Sequence, residues 1–232
     1  MSRYTSAYSS FLERLGEVEI FVRVASGLEK RNAVGARDEI RAYCRGAVVL
    51  LSSHIEGYVK DLGELILDRI HDRSVHRSRL VPRFFYEISK SRFDEIKDTA
   101  DPAGIATKVF EFLANDAEIW DTTTPFPFPV PADRFLKGFS NPSVDKICAF
   151  AGRFGYGELR RDLRRSLKSD FLVYEAAINN IVGTRNNIAH GNLSANSTPS
   201  DVFLMVSRAK VFCREVDDAF AAWARVAICT IR

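Results

Sequence analysis

The chain has 232 residues, of which 46% are hydrophobic and 27% charged, and its formal net charge is +3. These values exclude intrinsic disorder and fit one domain large enough to bury a proper core. No apolar run is long enough to span a bilayer, the first six residues lack the apolar core of a signal peptide, and the mild basicity permits nucleic acid as a partner without demanding it. The four cysteines, Cys44, Cys148, Cys213 and Cys229, stand far apart, with neither zinc-type nor redox-type spacing. Buried thiols in a reducing, cytoplasmic setting are therefore expected, with no metal site and no cofactor.

A first amphipathic helix is expected over about 4–30, where Phe11, Leu15, Val18, Val22 and Ala25 recur at three- and four-residue steps. Asn32 to Gly35 punctuates the chain. A second helix is expected over about 36–70. Its centre, Ala47 to Leu51, is apolar on all sides and taken alone would also suit a buried strand. The flanks Arg37 to Arg41 and Tyr58 to Leu62 continue a helical period and decide for a helix. Just after the apolar centre come Ser52, Ser53, His54 and Glu56, which must be paired or face a cleft.

The polar, arginine-rich stretch His71 to Arg83 follows, then two shorter helices over Phe84–Lys97 and Ile105–Trp120, the second opened by Asp101-Pro102. Prolines at 125, 127, 129 and 131 make Thr122 to Pro131 an extended loop. Short helices are expected over Ala132–Phe139, Val144–Phe154 and Glu158–Lys168. The block 71–165 reads as a helical insertion rather than a domain of its own. Ser169-Asp170 reads as an N-cap for a helix over about 169–191, with Phe171, Tyr174, Ile178, Ile181, Val182 and Ile188 as its apolar face. Thr198-Pro199-Ser200-Asp201 is a capping sequence for a last helix over about 199–229. The expected fold is all-α, a bundle of four long helices forming a single domain over 1–232.

Chemistry concentrates in Arg185-Asn186-Asn187-Ile188-Ala189-His190-Gly191. Arg185 and His190 are five residues apart, about 140° on an ideal helix, and so do not share a face squarely. Gly191 marks a helix end, where a loosened last turn would let His190 swing toward Arg185. Arg185 falls on the apolar side and must meet an anion, a carboxylate or a partner chain. Histidine carries protons near neutral pH, and arginine is a planar, always-charged phosphate ligand. Asn186 and Asn187 can bond phosphate oxygens or orient the other two. These parts suit RNA cleavage by attack of the ribose 2′-hydroxyl on the adjacent phosphate. The spacing by itself favours a plain helix end, where His190 caps carbonyls and Arg185 pairs with an acid.

Val182 to Gly191 resembles the Arg-X4–6-His signature of the HEPN superfamily, with Asn186 as the polar residue after the arginine. Leu50 to Leu62 is similar to the second helix of RiboL-PSP-type HEPN domains. The resemblance covers roughly 4–70 and 169–229 and leaves the middle unexplained. It implies an up-and-down four-helix bundle, with the insertion between its second and third core helices, that dimerises so that two signatures share a cleft. It implies a metal-independent endoribonuclease of a toxin–antitoxin or defence system, with RNA as substrate and an antitoxin or regulatory protein as possible partner. Arg185 would stabilise the phosphate, His190 would act as general acid/base, and Asn186 would support them. Glu56 corresponds to a polar position of the second helix that points into the cleft. The tyrosine found two residues after the histidine in one toxin branch is absent, since Gly191-Asn192 stands there. Some HEPN domains bind RNA, a nucleotide or a partner protein without turnover, and a purely structural oligomerisation domain is the third reading.

Arg160, Arg161, Arg164 and Arg165 opposite a Leu159/Leu163/Leu167 stripe suit either a face that tracks an RNA backbone or an ordinary solvated face. The same two readings hold for Arg73 to Arg83. His54 suits either a cleft or a satisfied interior position. Phe126 and Phe128 suit either base stacking or cover for the core.

Overall fold

The structure, a computed structural model, describes residues 4–31, 35–192 and 196–232. The punctuation at Asn32 to Val34 and part of the loop before Thr198 lie outside them. In chain order the helices are α1 (Ser6–Lys30), α2 (Arg37–Asp72), α3 (Pro82–Lys97), α4 (Pro102–Asn115), α5 (Ala132–Leu136), α6 (Val144–Arg153), α7 (Leu159–Leu167), α8 (Phe171–Ala189) and α9 (Pro199–Ala227). Among the described residues the only β pairing is a single antiparallel bridge between His76 and Pro125. None of the helices is long and apolar enough to cross a membrane.

The expected all-α bundle is formed by α1, α2, α8 and α9. Cross-helix contacts fix the directions. Arg14 pairs with Asp61 at 2.7 Å and Phe21 stacks edge-on with Tyr43, so α1 and α2 run antiparallel. Thr5 bonds the buried Asp217, while Lys210 pairs with Glu19 at 2.7 Å, so α9 also runs against α1. Thr184 and Asp201 share one groove with Asn180 and Leu204, which sets α8 against α9. The faces read from the periodicity are the buried ones. Phe11, Leu15, Val18, Val22 and Ala25 line α1, and α9 opens with the full capping box of Thr198 and Asp201.

The block between α2 and α8 is fused to the bundle rather than set apart from it. Its aromatic rings, among them Phe84, Phe135 and Phe154, pack at centroid distances of 4.6–6.1 Å, and Phe154 meets Phe220 of α9 at 5.7 Å. Close approach to α2 is possible because Gly63 has no side chain. A Cβ there would lie 2.6 Å from the Phe150 ring and 2.9 Å from a Leu136 methyl. The arginine-rich stretch 73–83 contains a residue that suits neither expected reading. Arg77 is 1% exposed, donating from Nε to Thr124 O at 2.8 Å and from Nη2 to Thr124 Oγ1 at 2.6 Å, with Glu118 O and Asp121 completing its ring of acceptors. It nails the proline loop to the end of α2. Phe126 covers the core, 5% exposed beneath the Arg77 guanidinium.

Two local expectations change. The helix expected over Ile105–Trp120 stops at Asn115, because the buried Asp116 is drawn to Arg134 at 2.9 Å and Arg92 at 3.5 Å, and Ala117–Trp120 continues as a 3-10 turn. Neither Ser169 nor Asp170 caps α8. Lys168 turns through a left-handed conformation, φ +52°, and Lys168–Asp170 enters the helix as a 3-10 turn with no side-chain cap.

Gly63→Ala is expected to cost about 1–3 kcal/mol, from overpacking against Phe150 and Leu136. Gly16→Ala, on the exposed side of α1 with open space around it, should gain about 0.5–1 kcal/mol. Denaturant unfolding of the two variants beside the parent checks both signs.

His54 gives a pH test. Its side chain is one-tenth exposed, with Nε2 3.4 Å from Glu17 Oε2 but without a well-formed hydrogen bond. Burial holds its pKa below the usual 6.5, and Arg14 adds to this, while Glu17 opposes it. Below pH 6.5 the unfolded chain therefore takes up a proton that the folded chain resists, so stability falls as the pH drops from 6.5 toward the folded value. The melting temperature should decline on acidification through this window, and His54→Gln should flatten that decline.

Candidate functional site

The end of α8 is built by a backbone closure. His190 is the C-cap residue, its N–H donating to Asn186 O at 3.0 Å. Gly191 takes φ +77°, which lets its own N–H reach Ile188 O at 3.0 Å and the Asn192 N–H reach Asn187 O at 2.9 Å. This is a Schellman closure, in which a left-handed residue satisfies the last carbonyls. The loosened turn expected at Gly191 is thus a closed one. The His190 ring is exposed and has no hydrogen-bond partner among the described residues, Arg185 included.

Arg185 is half-buried on α8, and Nη1 donates to the amide oxygens of Asn186 at 3.2 Å and Asn141 at 3.4 Å. Among the described residues no carboxylate pairs with it. Asn141 lies in the turn before α6 and was not visible as a site residue in the sequence, where Asn-Pro-Ser signals only a turn. Its backbone N–H donates to Glu56 Oε2 at 3.2 Å, and Glu56 Oε1 accepts from Lys60 at 2.7 Å. The structure therefore brings together Arg185, Asn186 and Glu56, with Asn141 between them. Asn187 is exposed.

The four arginines of α7 lie differently. Arg160 bonds both Asp145 and Glu175 at 2.6 Å, which ties the starts of α6 and α8 to α7. Arg161 pairs with Glu158 at 3.0 Å and Arg165 with Asp162 at 3.5 Å. Arg164 lies over the Phe171 ring at 5.3 Å, with no carboxylate partner among the described residues. A groove of about 570 Å³ on α2 is lined by Asp38, Arg41, Ala42, Arg45 and Asn196, and there Arg41 pairs with Asp38 at 3.5 Å. Arg45 precedes Glu56 by three helical turns on nearly the same face of α2, about 16 Å along its axis. Among the described residues no group of three or more His, Cys, Asp and Glu side chains is arranged to hold a metal ion.

The model of the RiboL-PSP-HEPN family matches residues 11–222. The chain belongs to the RiboL-PSP-HEPN family. The match includes the segment between α2 and α8, which the motif resemblance had left unexplained, so this HEPN domain extends beyond its four long helices. No curated protein and no solved structure is significantly similar to the chain.

The glycine that closes the signature helix of this HEPN domain is testable. A Cβ at Gly191 would meet open space, so only the left-handed backbone resists substitution. Gly191→Ala should destabilise by about 1 kcal/mol, read as a lower denaturant midpoint with an unchanged slope.

Proposed function

We propose that this HEPN domain is a metal-independent endoribonuclease that acts as a homodimer. The observation that carries the reading is Arg185, a half-buried cation oriented by two neutral amide oxygens and left without a carboxylate among the described residues. A guanidinium held this way keeps its charge for an anion, and a phosphodiester is the anion that its planar fork fits. His190 stands at the end of the same helix with an exposed ring free to exchange protons with solvent or substrate. In the proposed reaction the histidine takes the proton from the ribose 2′-hydroxyl. The oxygen attacks the adjacent phosphate, and the bond from phosphorus to the 5′-oxygen breaks as that oxygen takes the proton back from the imidazolium. Arg185 stabilises the charge that develops on the phosphoryl oxygens, and Asn186 holds the guanidinium in place.

Among the described residues the His190 ring has no hydrogen-bond partner to fix its tautomer. A second copy, placing its signature across a shared cleft, completes the site in this reading. An exposed apolar side chain beside the C-terminal half of α8 fits such a contact: Leu204 of α9, which shares a groove with Asn180 and Thr184. Arg45 would hold an RNA phosphate beyond the cleft, and Arg164 is the member of the α7 group without a carboxylate among the described residues to do the same. In this reading the nuclease serves as a toxin or defence effector in the cytoplasm, under control of an antitoxin or another regulatory protein. The unfixed His190 ring favours, as the second reading, a module that binds RNA, a nucleotide or a partner protein without turnover.

Purified protein should cut RNA in the presence of EDTA. Arg185→Ala and His190→Ala should each lower the rate at least about 100-fold, with the helical signal and the dimer unchanged. Full activity in both variants overturns the nuclease reading. RNA binding without cleavage, unchanged in His190→Ala, selects the second.

A further inference from the structure

The turn between α5 and α6 is fastened to both sides of the site. Glu56 Oε2, on α2, accepts the Asn141 N–H at 3.2 Å. Asn179 Oδ1, on α8, accepts the Val144 N–H at 3.1 Å. Within the turn Lys146 Nζ donates to Ser140 O at 3.0 Å, and the Ser143 N–H reaches Asn141 O at 2.7 Å. Asn141 itself is left-handed, φ +53°, and Pro142 follows it. A residue before proline is disfavoured in helical regions, and a non-glycine residue with positive φ is uncommon. Asparagine is among the side chains that tolerate this conformation best, and packing and hydrogen bonds on both sides hold it there. The result is a side-chain oxygen 3.4 Å from Arg185 Nη1.

We propose that Asn141 is a positioning residue for Arg185. Its amide oxygen, with that of Asn186, aims the guanidinium at the cleft, while Glu56 acts through it by fixing the turn that carries it. The chemistry of the acceptor matters. A carboxylate at this place would hold the arginine as well and would also neutralise it. An amide oxygen restricts its rotamers and leaves the charge for the substrate phosphate. The remaining donors, Nε and Nη2, have no acceptor among the described residues, so they are the ones offered to a phosphate. In this arrangement the segment between α2 and α8 is part of the site. It delivers a group that links Glu56 on α2 to Arg185 on α8.

The inference rests on the ribonuclease reading of Arg185, and the test separates the two. Asn141→Gly removes the amide but keeps a residue that adopts positive φ freely, so the turn and its bond to Glu56 persist. Asn141→Asp keeps an oxygen at the same place and adds charge. Two quantities are measured for each variant: order of the Arg185 Nε–H by 15N relaxation, assigned with Arg185→Lys, and RNA cleavage kinetics. Asn141→Gly should lose Arg185 order and lower kcat about tenfold, with KM changed less than about threefold and the melting temperature nearly unchanged. Asn141→Asp should keep the order and raise KM about tenfold, because the paired guanidinium binds phosphate less well. Arg185 equally ordered in Asn141→Gly overturns the proposal. So does unchanged cleavage in Asn141→Gly when Arg185→Ala abolishes it. If Arg185→Ala itself cuts RNA normally, the ribonuclease reading fails, and the relaxation data still decide whether Asn141 holds the arginine.

Discussion

Helix α2 buries Cys44, Ala47, Val48, Leu51, Ile55, Tyr58, Leu62 and Ile66, side chains that recur at three- and four-residue steps and form one continuous face. An apolar face that runs the length of a 36-residue helix has to be covered, and several neighbours share in covering it. Contacts from α1, α8, α9 and α5 close around it. The Tyr58 hydroxyl finds the carbonyl of Cys213 at 3.0 Å, which settles a polar group at the centre of that enclosure. Because the helix is 36 residues long and α8 only 19, the bundle alone cannot cover it. The segment between α2 and α8 supplies the rest, with Gly63 as the point where it comes closest.

The same enclosure explains where the polar groups end up. Glu56 sits at the edge of the covered surface, near enough to solvent to keep Lys60 as a partner and near enough to the inserted segment to hold Asn141. Arg185 lies at the matching edge of α8. Both are half-buried, so their electrostatics are stronger than at an open surface, while water still reaches them. Amide oxygens in place of carboxylates distinguish this cluster from the ion pairs elsewhere in the molecule. Arg160, doubly paired with Asp145 and Glu175, shows what the chain does with an arginine whose charge serves packing.

Apolar periodicity made the four long helices legible, and they fold where the patterns lie. Capping chemistry was legible where side chain and backbone are neighbours in the chain, as at Asp101 and Thr198. It misled at Ser169-Asp170, because the left-handed Lys168 two residues earlier brings the chain into α8 through a 3-10 turn. Arg185 and His190 stood out by residue type, and Glu56 by resemblance to a family. Asn141 and Arg77 carried no such signal. An asparagine before proline reads as a turn, and an arginine in a polar tract reads as solvated; only distant hydrogen-bond partners, 44 and 47 residues along the chain, give them their roles.

Local pattern, then, decided helix positions, the all-α class and the chemical character of the signature strip, since each depends on residues within a few turns of one another. Tertiary structure decided which arginines pair with carboxylates, as Arg160 does, and which, like Arg185, meet only amide oxygens among the described residues. It also decided that Gly191 closes the signature helix tightly, and that a turn from the inserted segment stands between Glu56 and Arg185. Those outcomes depend on which donors and acceptors meet after α2 is enclosed. The meeting of groups far apart in the chain is a property of packing, which periodicity along a helix does not encode.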